Sequence, residues 1–121
     1  MKENPTHVEK VWGYELIWAD TKDYVGKILH IRAGEACSLQ YHERKDETIH
    51  LLHGEMRFEA GMSPDKLENI DFKVGDSYHI RAGVIHRMIA ITDCDVLEVS
   101  TPDLSDVVRL EDRYGRVPKA D

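Results

Sequence analysis

The stretch "QYHERKDET", Gln40 to Thr48, puts Gln40, His42 and Glu47 within eight residues. Residues two apart on an extended strand share a face, so Gln40 and His42 point the same way. The polar run "ERKD" that follows reads as a turn, after which an antiparallel strand would bring Glu47 back beside them. An amide oxygen, an imidazole and a carboxylate on one face can be a solvated loop or one side of a metal site. The rest of the chain decides between these readings.

Outward from that stretch, helical periodicity is scarce. Short runs rich in β-branched and aromatic residues recur instead, at 14–18, 26–31, 37–42, 47–53, 55–60, 70–74, 76–80, 85–91 and 95–100. Glycine, proline and acidic breaks separate them: Ala33-Gly34, His53-Gly54, "GMSPD" (61–65), Gly75-Asp76, Ala82-Gly83 and "TDCD" (92–95). Strands this closely spaced predict an antiparallel sandwich or barrel. The tail from 101 is more charged, and Ser105 or Asp106 could cap a short helix there. The 121 residues read as one domain, with a barrel core over about 14–100 and a tail over 101–121.

Composition narrows the functions. Hydrophobic residues at 41% and charged ones at 32% describe a soluble globular chain. A net charge of -7 leaves no basic stripe for phosphate backbones, so no nucleic-acid partner is expected. The start, "MKENPTHVEK", has no apolar run, so neither a signal peptide nor a membrane partner is expected. Two well-separated cysteines, Cys37 and Cys94, read as small buried filler and suit a reducing, cytoplasmic location.

Two spaced motifs organise the polar residues. The first runs Gly34, five residues, Gln40-x-His42, four residues, Glu47, six residues, Gly54; the second runs Gly75, seven residues, Gly83, two residues, His86. This pair resembles the cupin superfamily, whose motifs carry His-x-His, a Glu and a later His at such spacing, and the resemblance covers nearly all of the chain. It implies a small all-β jelly-roll barrel, a double-stranded β-helix with a short helical or irregular tail. It also implies one divalent metal inside, held by Gln40, His42, Glu47 and His86, the last closing the set from across the barrel. One amide oxygen, two imidazoles and one carboxylate suit Zn, Mn, Fe, Co or Ni. The same residues can also form a metal-free polar pocket.

The flanks "VWGYELIW" (11–18), "CSLQYH" (37–42), "AGVIHR" (82–87) and "VVRLEDRYGR" (107–116) look like the cupin domain of type II mannose-6-phosphate isomerases. In that family Gln commonly takes the first ligand position, as Gln40 does here. The chain departs from the pattern at Glu43-Arg44-Lys45 and Thr48-Ile49, where the family carries more histidines and a His-Trp pair. It departs again at Arg81 and Ala90, in place of Pro and Asn. The nucleotidyltransferase domain often fused to this cupin is absent from the chain, so guanylyltransferase activity is not expected.

The resemblance implies a metal-dependent enzyme on a sugar or sugar phosphate, an isomerase or epimerase. Glu47 or His42 would carry the proton, and Lys27 and Arg109 would hold the anion. Lys27 shares parity with Leu29 and Ile31, so it either lines the interior or sits outward as a solvated edge lysine. Arg109 either serves the site or pairs at the surface with Glu111 or Asp112. Arg87 has the parity opposite to His86 and reads as a structural ion pair; Arg81 reads as an exposed turn residue. His7, His30, His50, His53 and His79 are left outside the metal set, and Tyr14, Trp18 and Tyr24 default to core packing. Two rival functions use the same side chains. Two histidines and one carboxylate can serve a non-haem Fe(II) dioxygenase, and the domain can also be a non-catalytic sugar- or metal-binding cupin. Small cupins often pair through a sheet face or exchanged terminal strands, so a homodimer is expected, with the extended first 13 residues as its hint.

Overall fold

Alternation of apolar and polar residues drives the architecture. In "VGKILHI", Val25, Lys27, Leu29 and Ile31 are buried while Ile28 and His30 between them are half-buried on the other face. A computed structural model describes residues 1–103 and 105–117, which form eleven strands. They are β1 (Thr6–Lys10), β2 (Gly13–Asp20), β3 (Val25–Ile31), β4 (Leu39–Tyr41), β5 (Glu47–His53) and β6 (Met56–Gly61). There follow β7 (Glu68–Phe72), β8 (Ser77–Ile80), β9 (Ile85–Ala90), β10 (Cys94–Ser100) and β11 (Val108–Glu111). No described residue is helical, and none forms a helix long and apolar enough to cross a membrane.

Two antiparallel sheets face each other. One has six strands in the order β1-β2-β3-β10-β5-β8, the other five in the order β11-β4-β9-β6-β7. This is the jelly-roll expected from the motifs. Between the sheets lies an apolar core that includes Leu29, Ile31, Ile49, Leu51, Phe58, Ile80 and Val96, each at most 3% exposed. Phe58 anchors it, with ring centroids 5.6 Å from Phe72 and 4.9 Å from Tyr78. Cys37 and Cys94 are buried free thiols whose burial pushes both pKa values up, so they stay neutral as filler. Gly54 shows why one turn needs glycine: at φ +97° a Cβ there would stand 2.2 Å from the Asp93 carbonyl oxygen.

Four expectations are corrected. First, β4 and β5 are not a hairpin. They lie in different sheets, and residues 43–46 cross from one sheet to the other. Second, no described residue of the tail is helical, so neither Ser105 nor Asp106 caps a described helix. Asp106 instead accepts the backbone N–H groups of Glu43 (3.0 Å), Arg44 (2.7 Å) and Lys45 (2.9 Å), pinning the crossover. Third, the tail contributes a strand. β11 pairs with β4, Arg109 opposite Gln40, and the β-branched pair Val107-Val108 at its start favours the extended form. Fourth, Trp18 and Tyr24 are 44% and 58% exposed rather than core. Trp18 lies over Gly26, where a Cβ would meet its ring at 2.5 Å, and Tyr14 stacks between His7 and His30 on the outer sheet face.

Asp106 gives the tail a pH signature. Burial pushes its pKa up, but the three backbone N–H groups outweigh this and hold it at about 2 against an ordinary 3.8. The folded value is the lower one. The stabilisation is therefore complete above pH 3.8 and is lost as pH falls towards about 2. Thermal melts across that window should show the loss in the wild type and a smaller one in Asp106→Asn.

Candidate metal centre

β4 and β9 are neighbours in the five-stranded sheet, with Gln40 directly opposite His86. Arg109 extends the same row on the other side of Gln40. His42 lies two residues past Gln40, at the mouth of the crossover, and Glu47 opens β5 in the facing sheet. The set therefore closes differently from the sequence expectation. Glu47 arrives from across the barrel, and His86 stands beside Gln40.

The geometry is tight. His42 Nε2 lies 3.4 Å and His86 Nε2 3.3 Å from Glu47 Oε1. One ligand atom from each of the three residues falls within 4.8 Å of the other two, and all three residues are buried. His42 donates its Nδ1–H to the Asp106 carbonyl, and His86 donates its own to the Val84 carbonyl at 3.0 Å. A carbonyl can only accept, so each neutral ring carries its proton on Nδ1 and turns an Nε2 lone pair inward. Both Nε2 atoms are buried without a hydrogen-bond partner.

Two lone pairs and a carboxylate oxygen converging on one space call for a cation. Ligands held at about 2.1 Å in tetrahedral or octahedral geometry stand about 3.0–3.4 Å apart, which matches these separations. The backbone carbonyls behind the imidazoles are the outer hydrogen bonds that metal-binding histidines need. The residues fit a divalent ion. Gln40 lines the same cavity, with its Oε1 accepting a hydrogen bond from Ser38 Oγ at 3.2 Å.

The cavity holds about 110 Å³. Its lining carries five basic residues (Lys10, Lys27, Lys45, Arg109, Arg116) and three carboxylates (Glu15, Glu47, Glu98), a local positive excess in a chain of net charge -7. Lys27 is buried and faces inward, 3.2 Å from Glu15 Oε2, as one of its two readings required. Arg109 lines the cavity, its Nε buried and without a hydrogen-bond partner among the described residues. The surface partners once open to it are taken, Glu111 by Arg87 at 3.3 Å and Asp112 by Arg116 at 2.7 Å. Arg87 also reaches Glu59 at 3.1 Å, so its role is structural. Arg81 is exposed. The five remaining histidines are away from the centre: His7 pairs with Glu9, His30 and His53 with Asp95, His50 with Ser77 and His79 with Asp46.

Lys45 and Glu98 escaped the sequence reading. Lys45, 5% exposed, places its Nζ 2.9 Å from Glu47 Oε2 and 3.3 Å from Glu98 Oε2. The contact with Glu47 is an ion pair without hydrogen-bond alignment, since that oxygen has no hydrogen-bond partner. Burial alone would lower the lysine pKa; the Glu98 and Glu47 charges outweigh it and keep the ammonium protonated. Burial likewise opposes ionisation of Glu47, but the imidazoles, whenever an Nε2 carries a proton in place of a metal, and the Lys45 ammonium hold its carboxyl well below the usual carboxylate range. Glu98 could have been suspected from parity, because it stands between inward Val96 and Ser100. Lys45 sits in the irregular crossover and left no such trace.

Comparison with known families settles the class. The cupin domain model matches residues 27–100, more than half of the chain, and the protein belongs to the cupin family. No curated protein matches it. Among solved structures, KdgF from Halomonas sp. is similar at 20% identity, covering 74% of this chain and 77% of that one, with a TM-score of 0.61. Oxalate decarboxylase from Bacillus subtilis gives a TM-score of 0.76 at 15% identity over 94% of this chain, and vicilin from Solanum lycopersicum gives 0.71 at 18% over 90%. This chain spans about a third of each of those two, 32% in both cases. At these identities the likeness concerns the fold, and nothing in it singles out mannose-6-phosphate isomerases.

Proposed function

We propose that this cupin is a metal-dependent enzyme on a small anionic sugar, an isomerase or epimerase of the mannose-6-phosphate isomerase kind. The carrying observation is one cavity lined by His42, Glu47 and an Arg109 with no ion-pair partner among the described residues, where the buried His86 converges on the same Glu47 oxygen from behind. Gln40, His42, Glu47 and His86 would hold the ion. When bound, it would stabilise the negative charge that develops on the substrate oxygens.

The side chains divide the remaining work. Arg109, one strand from Gln40, and Lys27, facing from the other sheet, would orient the anion. The cavity volume of about 110 Å³ is below the roughly 300–1,000 Å³ of pockets that swallow whole ligands. It suits the reacting end of a sugar, leaving a phosphate near Arg109 and the less buried Lys10 and Arg116. A metal-free acid–base site remains the counter-case for Glu47 and His42, whose inward atoms would then need protons.

The test is anaerobic proton NMR of the Zn- or Mn-loaded protein with mannose 6-phosphate and fructose 6-phosphate in deuterated water. Interconversion with deuterium entering a carbon next to the carbonyl is expected. Absence of both exchange and conversion would overturn the reading. A second reading, an Fe(II) dioxygenase, is favoured by the two-imidazole, one-carboxylate composition of the centre. It requires Fe(II)-dependent oxygen uptake. A binding module would show thermal stabilisation by the sugar phosphate without turnover.

A further inference from the structure

We propose that Glu98 is the carboxylate that carries the substrate proton in this cavity. This rests on the isomerase reading and replaces the expectation that Glu47 or His42 does so. The reason is one of occupancy. His42 and His86 each commit Nδ1 to a backbone carbonyl and turn Nε2 to the metal point. Glu47 gives Oε1 to that point and faces Lys45 with Oε2. Gln40 cannot titrate. Glu15 lies between Lys27 at 3.2 Å and Lys10 at 3.9 Å.

Glu98 is the cavity carboxylate that remains. It is 5% exposed, and its Oε2 meets Lys45 Nζ at 3.3 Å; no described residue hydrogen-bonds its Oε1. Its place in the sheet is suitable for chemistry beside the ion. On β10 it pairs across to Lys27 on one side and Ile49 on the other, while Ser100, two residues further, pairs with Glu47. Two residues of strand displace it about 6.6 Å from the Glu47 row. That spacing leaves room for a substrate between Glu98 and an ion whose ligand is Glu47. It reaches Glu47 only through Lys45.

The surroundings tune the group for proton transfer. Burial and the Glu47 charge push its pKa up, against the pull of Lys45 and Lys27, with Glu15 adding to the rise. A buried carboxyl moved towards neutral pH accepts and returns a proton more effectively than one fully ionised. The step balances without an outside reagent. The proton on the carbon next to the carbonyl moves to Glu98, and the C–H electron pair becomes the enediolate. The hydroxyl proton passes between the neighbouring oxygens, and Glu98 returns its proton to the other carbon.

The experiment compares metal-loaded wild type, Glu98→Gln and Glu98→Asp in the same deuterium-exchange assay with fructose 6-phosphate. Melting temperature and metal content are followed in parallel, and infrared spectra of each protein are recorded across pH. Glu98→Gln should keep the metal and lose exchange by about 10²–10⁴-fold, with Glu98→Asp between the two. Wild type should show a protonated-carboxyl band that titrates and is missing in Glu98→Gln. Exchange in Glu98→Gln within tenfold of wild type, or an unchanged band, overturns the assignment to Glu98 alone. If Glu98→Gln does not fold, full exchange in Glu98→Asp, whose shorter side chain withdraws the carboxylate, overturns it as well. Wild type without any exchange overturns the isomerase reading and this assignment with it.

Discussion

Glu47→Gln is expected to weaken binding of Zn or Mn by more than about 100-fold while the protein stays folded. The substitution keeps the volume and removes the charge. Loss of a mere outer hydrogen bond to a ligating histidine typically costs 10–100-fold, so removal of the one anionic ligand should cost more. The effect has a second source. Lys45 now divides its charge between Glu47 and Glu98 at 2.9 and 3.3 Å; with glutamine it would face one carboxylate and leave an uncompensated positive charge beside the ion. His42→Ala should lose metal to a similar extent, because the Nε2 lone pair disappears and the Asp106 carbonyl behind it loses its donor. Competition against a chromophoric chelator measures both. Wild-type affinity in either variant would remove the metal from this site, and a wild type that binds no divalent ion at all would do the same. The second result would shift the function to proton chemistry by the same inward atoms.

Much of the barrel was legible because strands such as β5 and β10 alternate buried and less buried residues. Glu47 to His53 was delimited to the residue, and the other eight strands foreseen were placed to within about three residues at either end. The two motifs named the residues that meet at the centre through the two-residue step from Gln40 to His42 and the resemblance that joins Glu47 and His86 to them, although the segment before Glu47 crosses between sheets and does not turn back. What the sequence withheld is set by pairing between distant segments. Nothing in "HERKDE" says that its two ends enter different sheets; that depends on Asp106, some 60 residues later, taking three backbone N–H groups. β11 was missed for the same reason, since a four-residue strand has little pattern of its own and is held extended by pairing with the distant β4. The charged look of the tail invited a helix, yet its charges are local pairs such as Arg116 with Asp112. Lys45 defeats composition rules altogether. A lysine in a polar run reads as solvated, and here it is buried because two carboxylates from β5 and β10 receive it.

The largest loss of stability should come from Phe58→Ala, at about 3–5 kcal/mol. Phe58 is fully buried and fills the space where the sheets approach behind the centre, against Phe72, Tyr78 and, at 6.4 Å between ring centroids, His86. Removing the ring leaves a cavity that two stiff, paired sheets cannot close. Most small domains are stable by only about 5–15 kcal/mol, so the variant would lie near the edge of folding. Urea denaturation reads the cost directly, and a loss below about 1 kcal/mol would mean that the core repacks around the gap. The same substitution separates packing from ligation at His86. Its ring is held on one side by the Val84 carbonyl, and the tilted Phe58 ring lies on another. Phe58→Leu, which retains most of the volume, should cost less than half as much stability. If the carbonyl alone fixes the imidazole, metal affinity in Phe58→Leu stays within a few-fold of wild type. A drop approaching that of Glu47→Gln would make the aromatic cluster part of what aims His86 at the ion.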